Sequence, residues 1–398
     1  MFGEDPADRR ERLRNYIAKN GDEVSNTFNE EKQENEEESK TWYHEGSQEL
    51  LEARYWIAKY SISRAKERIE FSKQQYLIPE KIRDSIDQEK YKKLRLFEIS
   101  SSQVADQRPI SSCNFSPNDQ FVATSSWSGL CKIWKMPNLD LEHTLRAHNC
   151  NVNRINWHPK ATITNDVNDL NLASCGVDGA VFLWDLNGNE PIHQLKGHEP
   201  YRVSQAQFHP SGKFLATACY DNSFRFWDLE KNIEILHQEG HSKPVHDVSF
   251  QNDGSLIASG GRDSFGRVWD LRTGRCIMFM EGHLKGIISV DWSPDGYHLV
   301  TGSEDNSIKI WNLRQRCLEY TIAAHTDIVS KVIFESNFIL STSYDNTLKL
   351  WSHPSWTPIN CFTGSDSKVM SADISKEHSH ILTCSFDRTF KLWEQSIV

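Results

Sequence analysis

A histidine, a serine or threonine and an aspartate recur together along this chain, and side chains of these types can serve as base, nucleophile and orienting acid. The sets are His148, Ser174 and Asp178; His198, Thr217 and Asp221; His241, Ser259 and Asp263; His283, Thr301 and Asp305; and His325, Ser341 and Asp345. Thr383 and Asp387 form a sixth set without its histidine. A hydrolase needs one triad beside one oxyanion hole in one cleft, whereas this set is repeated. Six residues after each Asp stands a tryptophan, namely Trp184, Trp227, Trp269, Trp311, Trp351 and Trp393. The four residue types therefore read as structural tetrads, in which indole N–H, hydroxyl and imidazole satisfy one another and a buried carboxylate. There is no P-loop, no His-Glu-x-x-His and no carboxylate pair outside the repeat. No catalytic residue, cofactor or metal is expected, and the chain is read as a non-enzyme.

The elements that carry these residues follow from their period. With Trp134 added, the tryptophans lie 50, 43, 42, 42, 40 and 42 residues apart. Units of about 40 to 45 residues ending on a tryptophan strand resemble WD repeats, four-stranded blades set around an axis. The expected fold is mainly β, a seven-bladed WD-repeat β-propeller preceded by an α-helical N-terminal region. The first repeat keeps Thr124 but has Ser128 in place of Asp and no Gly-His; the last has Gly364-Ser365 in place of Gly-His. These weak units flank the seam, and residues 94–100 (LRLFEIS) are expected to supply the missing outer strand of the last blade, removing two exposed edges. Residues 160–170 read as an insertion in the second blade.

Residues just before each tetrad Asp should sit on tight turns at one face of the disc: Val177, Tyr220, Arg262, Glu304, Tyr344 and Phe386, with Trp127 in the equivalent place. Loops after the Gly-His positions should add Arg202, Lys243, Lys285 and Lys368. Aromatics interleaved with cations suit a protein hot spot or a splayed RNA strand. Trp127, Arg202, Tyr220, Lys243, Arg262, Lys285, Tyr344, Lys368 and Phe386 are thus the partner-binding candidates, although any one turn aromatic can equally pack over its own blade.

Ahead of the propeller (94–398) we expect three segments. Residues 1–28 hold a helix opened by Asp5-Pro6, carrying Arg9, Arg10, Arg12 and Arg14 as N-terminal contact candidates. Residues 29–40 form an acidic, solvated linker. Residues 41–93 are helical: Ser47 reads as an N-cap, a break is expected at Ser61 or Ser63, and Pro79 opens a further helix whose Ile82 and Ile86 share a face. Such apolar stripes must bury themselves against the propeller or a partner. A net charge of −10 argues against a general nucleic-acid binder and leaves local patches. No apolar run approaches the roughly 18 residues of a membrane span, and MFGEDP does not read as a signal peptide. The nine cysteines, with no Cys-x-x-Cys, read as buried hydrophobes in a reducing compartment.

Residues 2–14 (FGEDPADRRERLR), 41–61 (TWYHEGSQELLEARYWIAKYS), 108–117 (RPISSCNFSP), 127–134 (WSGLCKIW) and 265–285 (FGRVWDLRTGRCIMFMEGHLK) resemble the WD-repeat subunit of the U4/U6 small nuclear ribonucleoprotein, the pre-mRNA processing factor four family. The resemblance runs from Phe2 to about Trp393. It implies a nuclear, non-catalytic scaffold of pre-mRNA splicing that holds U4/U6 RNA, directly or through partners, with another U4/U6 processing factor and the U4/U6.U5 tri-snRNP proteins. The propeller itself would be monomeric within that complex. Recruitment of a cyclophilin, which the resemblance attaches to residues just ahead of the FGE segment, is not expected of Phe2 to Arg14 alone, and the chain reads as a fragment, an isoform or a divergent member. The alternative is a substrate receptor of a cullin-type ubiquitin ligase, suggested by Trp269-Asp270-Leu271-Arg272.

Overall fold

The strands fall into seven four-stranded antiparallel sheets in the computed structural model, which describes residues 14–15 and 46–396. Six blades are built from consecutive strands: β2–β5 (110–146), β6–β9 (152–195), β10–β13 (203–238), β14–β17 (245–280), β18–β21 (287–323) and β22–β25 (329–363). Inner strands such as β10 (Val203–Phe208) are buried almost throughout, and outer strands such as β21 (Cys317–Ala323) almost nowhere. That gradient is what a blade radiating from an axis requires, because only its inner strands are enclosed by neighbours on both faces.

The seventh blade draws its strands from both ends of the propeller. Strands β26 (Val369–Ile374), β27 (His380–Ser385) and β28 (Thr389–Gln395) are completed by β1 (Phe97–Val104), which pairs antiparallel with β28 from Phe97 opposite Gln395 to Val104 opposite Thr389. The closing strand therefore lies three residues farther along than residues 94–100: Leu94 ends a helix, and its buried side chain plugs the core beneath the strand. Phe97 enters the same cluster with Leu348, Leu350 and Trp393, so closure is secured by apolar contact as well as by the ladder.

Neighbouring blades pack face to face. Ala173, Cys175 and Leu183 of the second blade meet Val203, Phe208 and Leu215 of the third in one dry cluster. Polar staples cross between inner strands: Asp247 accepts from Val290 N at 3.0 Å, Asp291 from Phe334 N at 2.9 Å, and Asp373 from Phe115 N at 2.7 Å. The insertion lies between β6 (Val152–Trp157) and β7 (Leu172–Gly176), tied down by Asn165 and Asn171 side chains to Leu170 O and Asp169 O. Cys131, Cys175, Cys219 and Cys384 are buried and free.

The chain divides into two compact units, Met1–Leu51 and Glu52–Val398. Of the first, Arg14 is helical and exposed, and Ser47 Oγ accepts from Leu50 N at 3.3 Å as an N-cap. Arg9, Arg10, Arg12 and the acidic segment 29–40 lie outside the described residues. Helix α1 (Gln48–Leu77) has no break at Ser61 or Ser63. Both serines return their hydroxyls to carbonyls three residues back, Ala58 O and Tyr60 O, which satisfies them without opening the helix.

Within the second unit, α1 lies across the turns that join the first two strands of successive blades. Ala53, Ile57 and Ser61, spaced four apart, are buried. Trp56 stacks on Tyr60 and meets Phe214 edge-on at 5.6 Å in the third blade. Arg68 grips Asp253 of the fourth blade through Nε and Nη2, and its Nη1 donates to Asp295 O of the fifth. Helix α2 (Glu80–Leu94) continues to the sixth, where the Tyr91 hydroxyl lies between His353 O at 2.8 Å and Asn337 O at 3.0 Å, which share its one proton. The stripe expected to be buried on α2 is not: Ile82 and Ile86 are exposed, because it is Tyr91 and Leu94 that face the sheet.

Phe97 is 3% exposed in the closing cluster, so Phe97→Ala should cost about 3–5 kcal/mol. Urea denaturation of the variant beside the parent chain measures this directly.

Candidate partner-binding face

In all seven blades the indole N–H of the third-strand tryptophan donates to the second-strand hydroxyl at 2.8–3.0 Å, from Trp134 to Thr124 through Trp393 to Thr383. Blades four to six complete the tetrad. His241 Nε2 lies 2.8 Å from Ser259 Oγ and its Nδ1 3.0 Å from Asp263; His283 and Asp305, and His325 and Asp345, repeat this at 2.9 Å. With the hydroxyl accepting from the indole, it donates to Nε2, and Nδ1–H donates to the carboxylate. Burial pushes the Asp305 carboxyl up, yet hydrogen bonds from His283 and Ser307 outweigh it and hold the group well below the usual carboxylate range.

The other blades depart from the expected set. In the second, His148 Nδ1 stands 3.6 Å from Asp178, and Phe182 packs edge-on against the imidazole. In the third, Asp221 does not bond His198: it turns to Arg225 at 3.0 Å, leaving His198 Nδ1 buried without a partner. Burial, reinforced by the Arg225 charge, pulls His198 down to about 3. In the first blade, Asp106 from the preceding loop bonds Ser128 and faces Lys132 at 3.8 Å. In the seventh, Lys391 donates to Gly364 O at 2.6 Å and lies 3.6 Å from Asp387. Lys132, Arg225 and Lys391 each stand two residues before the blade's tryptophan, a basic position visible in the sequence and passed over there.

These inner networks hold a ring of turns at the face opposite α1. The residue before each tetrad Asp donates its N–H to a carbonyl in the incoming loop of the same blade: Trp127 to Pro109, Val177 to Asn151, Tyr220 to Arg202, Arg262 to Pro244, Glu304 to Gly286, Tyr344 to Ile328 and Phe386 to Lys368. The residue after the Asp position adopts positive φ in every blade, glycine at 129 and 179, Asn222, Ser264, Asn306, Asn346 and Arg388, so the turn is set by the backbone and the side chain before it is presented the same way each time.

The nine partner-binding candidates all lie on this face, but in two groups. Tyr220 and Tyr344 are half-buried beneath Arg202 at 5.0 Å and Lys368 at 4.9 Å, and Tyr220 Oη lies 3.2 Å from His246. They pack locally. Trp127 and Phe386 are exposed and meet edge-on across the seam at 5.5 Å. Lys243 and Lys285 are exposed, and Arg262 reaches Glu304 at 3.6 Å. Tyr201 and Leu284, at 51% and 88% exposure on the incoming loops, join the face without having been singled out, since nothing in the repeat marks them.

Seven matches to the model described as "WD domain, G-beta repeat" cover residues 99–135, 139–185, 189–228, 233–270, 274–312, 316–352 and 356–394. The chain belongs to the WD-repeat family. It is a Prp4-family member, similar to "U4/U6 small nuclear ribonucleoprotein Prp4" of Bos taurus, 53% identical over 225 residues, which are 56% of this chain and 43% of that relative. The protein of Saccharomyces cerevisiae with the corresponding name, U4/U6 small nuclear ribonucleoprotein PRP4, is 32% identical over 218 residues, 52% of this chain and 44% of the relative. An uncharacterized WD repeat-containing protein of Schizosaccharomyces pombe is 37% identical over 225 residues, 55% and 47% of the two chains. The chain spans under half the length of these curated relatives.

Two further clusters in the WD-repeat chain bear on chemistry. Trp269-Asp270-Leu271-Arg272 closes on itself, Arg272 Nε meeting Asp270 at 3.0 Å. Asp295, His298 and His353 bring ligand-type atoms together, but both nitrogens of His298 are taken up, Nδ1 by Asp295 and Nε2 by Glu319 at 3.0 Å.

Asp305→Ala leaves His283 and Ser307 unpaired and should cost about 1–3 kcal/mol, read as a lower midpoint in a denaturant titration. His198 tests the pH dependence. A group whose folded pKa lies near 3 against 6.5 unfolded takes up its proton on unfolding, so its contribution is intact above pH 6.5 and is lost as pH falls toward 3, by up to ~1.4 kcal/mol per pH unit. His198→Gln should flatten the decline in stability between pH 7 and pH 5, which thermal melts across that range would reveal.

Proposed function

We propose that this chain is a non-catalytic scaffold of the U4/U6 small nuclear ribonucleoprotein, organising protein and RNA contacts within it and within the U4/U6.U5 tri-snRNP for pre-mRNA splicing, in the nucleus. The observation that carries the reading is the division of the two faces. One is occupied by α1 and α2, and the other presents Trp127, Phe386, Lys243, Arg262 and Lys285 on turns held by the backbone. Relatives named U4/U6 small nuclear ribonucleoprotein Prp4 support the choice of complex. The Ser/Thr, His and Asp groups support a non-enzymatic role, because each hydroxyl is spent on an indole and buried in a blade.

Capture of the tagged full-length chain from nuclear extract at moderate and high salt tests the proposal. U4 and U6 RNAs with their processing factors should be retained; their absence sinks it. Changing Lys243, Arg262 and Lys285 together to Ala should lower that recovery while leaving the melting temperature unchanged. Tyr220→Ala should lower both, because Tyr220 is packed between Arg202 and His246.

A further inference from the structure

The seam of the propeller opens into a cavity of about 1000 Å³ beside the first blade. In blades two to six a histidine of the incoming loop meets the tetrad hydroxyl; residues 105–109 carry Asp106 instead, whose charge is already met by Ser128 and Lys132. Arg108, Arg146 of the outer strand β5 (Asp140–Arg146) and Trp127 line it, and Phe386 stands against Trp127. Both arginines are exposed, and neither guanidinium has a carboxylate or hydrogen-bond partner among the described residues. In a chain of net charge −10, two unpaired guanidiniums flanking an exposed indole are a local reversal of sign.

We infer that this groove binds single-stranded RNA, with a base stacked on Trp127 and the adjoining phosphates taken by Arg108 and Arg146. Guanidinium forks fit phosphate oxygens bidentately, and an indole face accepts any base. The space suits a short stretch of strand, since drug-sized ligands fill pockets of roughly 300 to 1,000 Å³. An acidic peptide would satisfy the arginines but leave the indole without a flat partner, so RNA is the better fit. The inference rests on the proposal that this face is where partners dock, and it assigns the RNA contact to one groove on it.

The test is fluorescence anisotropy of a labelled twelve-nucleotide mixed-sequence RNA against the purified full chain over a salt series. Trp127→Ala should weaken binding roughly 5- to 150-fold, with Trp127→Phe recovering much of it. Arg108→Ala with Arg146→Ala should flatten the slope of log affinity against log salt by about 1.4, two phosphate contacts at ~0.7 each. Both arginines are exposed and unpartnered, so this variant should keep the parent melting temperature and stands even where Trp127→Ala does not fold. Binding unchanged in the double-arginine variant, no binding by the parent, or equal competition by a poly-glutamate peptide overturns the inference. A chain that recovers U4 and U6 from extract yet fails here overturns the groove and leaves the scaffold reading standing.

Discussion

The hydrogen bond from each third-strand indole to a second-strand hydroxyl is the one tetrad interaction present in every blade. It joins neighbouring strands inside a dry sheet, where an unpaired indole N–H or hydroxyl would carry its full desolvation cost. All else in the tetrad is variable. Histidine and aspartate complete it in blades four to six, while an arginine or lysine takes over the carboxylate in the third and seventh. The blade tolerates this exchange because the hydroxyl and indole satisfy each other regardless of what the carboxylate meets.

From that pin follows the geometry of the two faces. With the second and third strands locked, the turn between them is short and positive in φ after the aspartate position, and the residue before it is presented at a fixed place around the disc. The opposite turns, between first and second strands, are the ones α1 crosses. Arg68 joins two of them by bonding Asp253 and Asp295 O together, so the helix acts as a brace across blades. Closure adds the remaining constraint: β1 covers the edge of β28 that the seventh blade would otherwise leave unpaired.

The seam is also where the repeat is weakest, and the two facts are linked. The first blade has Ser128 in place of the tetrad aspartate, and Asp106 in the loop after the closing strand supplies a carboxylate to it. The cavity beside it is lined by Arg108 and Arg146, which no tetrad consumes.

By itself the sequence determined the number of blades, the strand that carries each tryptophan and the face on which the turn residues gather, because these depend on spacing and local turn chemistry. The N-cap at Ser47 and the helix start at Pro79 were legible for the same reason. Only the tertiary structure decided that Asp221 abandons His198 for Arg225, that Tyr220 and Tyr344 lie under cations while Trp127 and Phe386 are exposed against each other, that α1 runs unbroken across three blades, and that Ile82 and Ile86 of α2 are left in solvent. Each of these is a competition among partners that the folded chain brings within reach of one another. Spacing names the candidates for such a contact, but their distances in the folded blade choose among them.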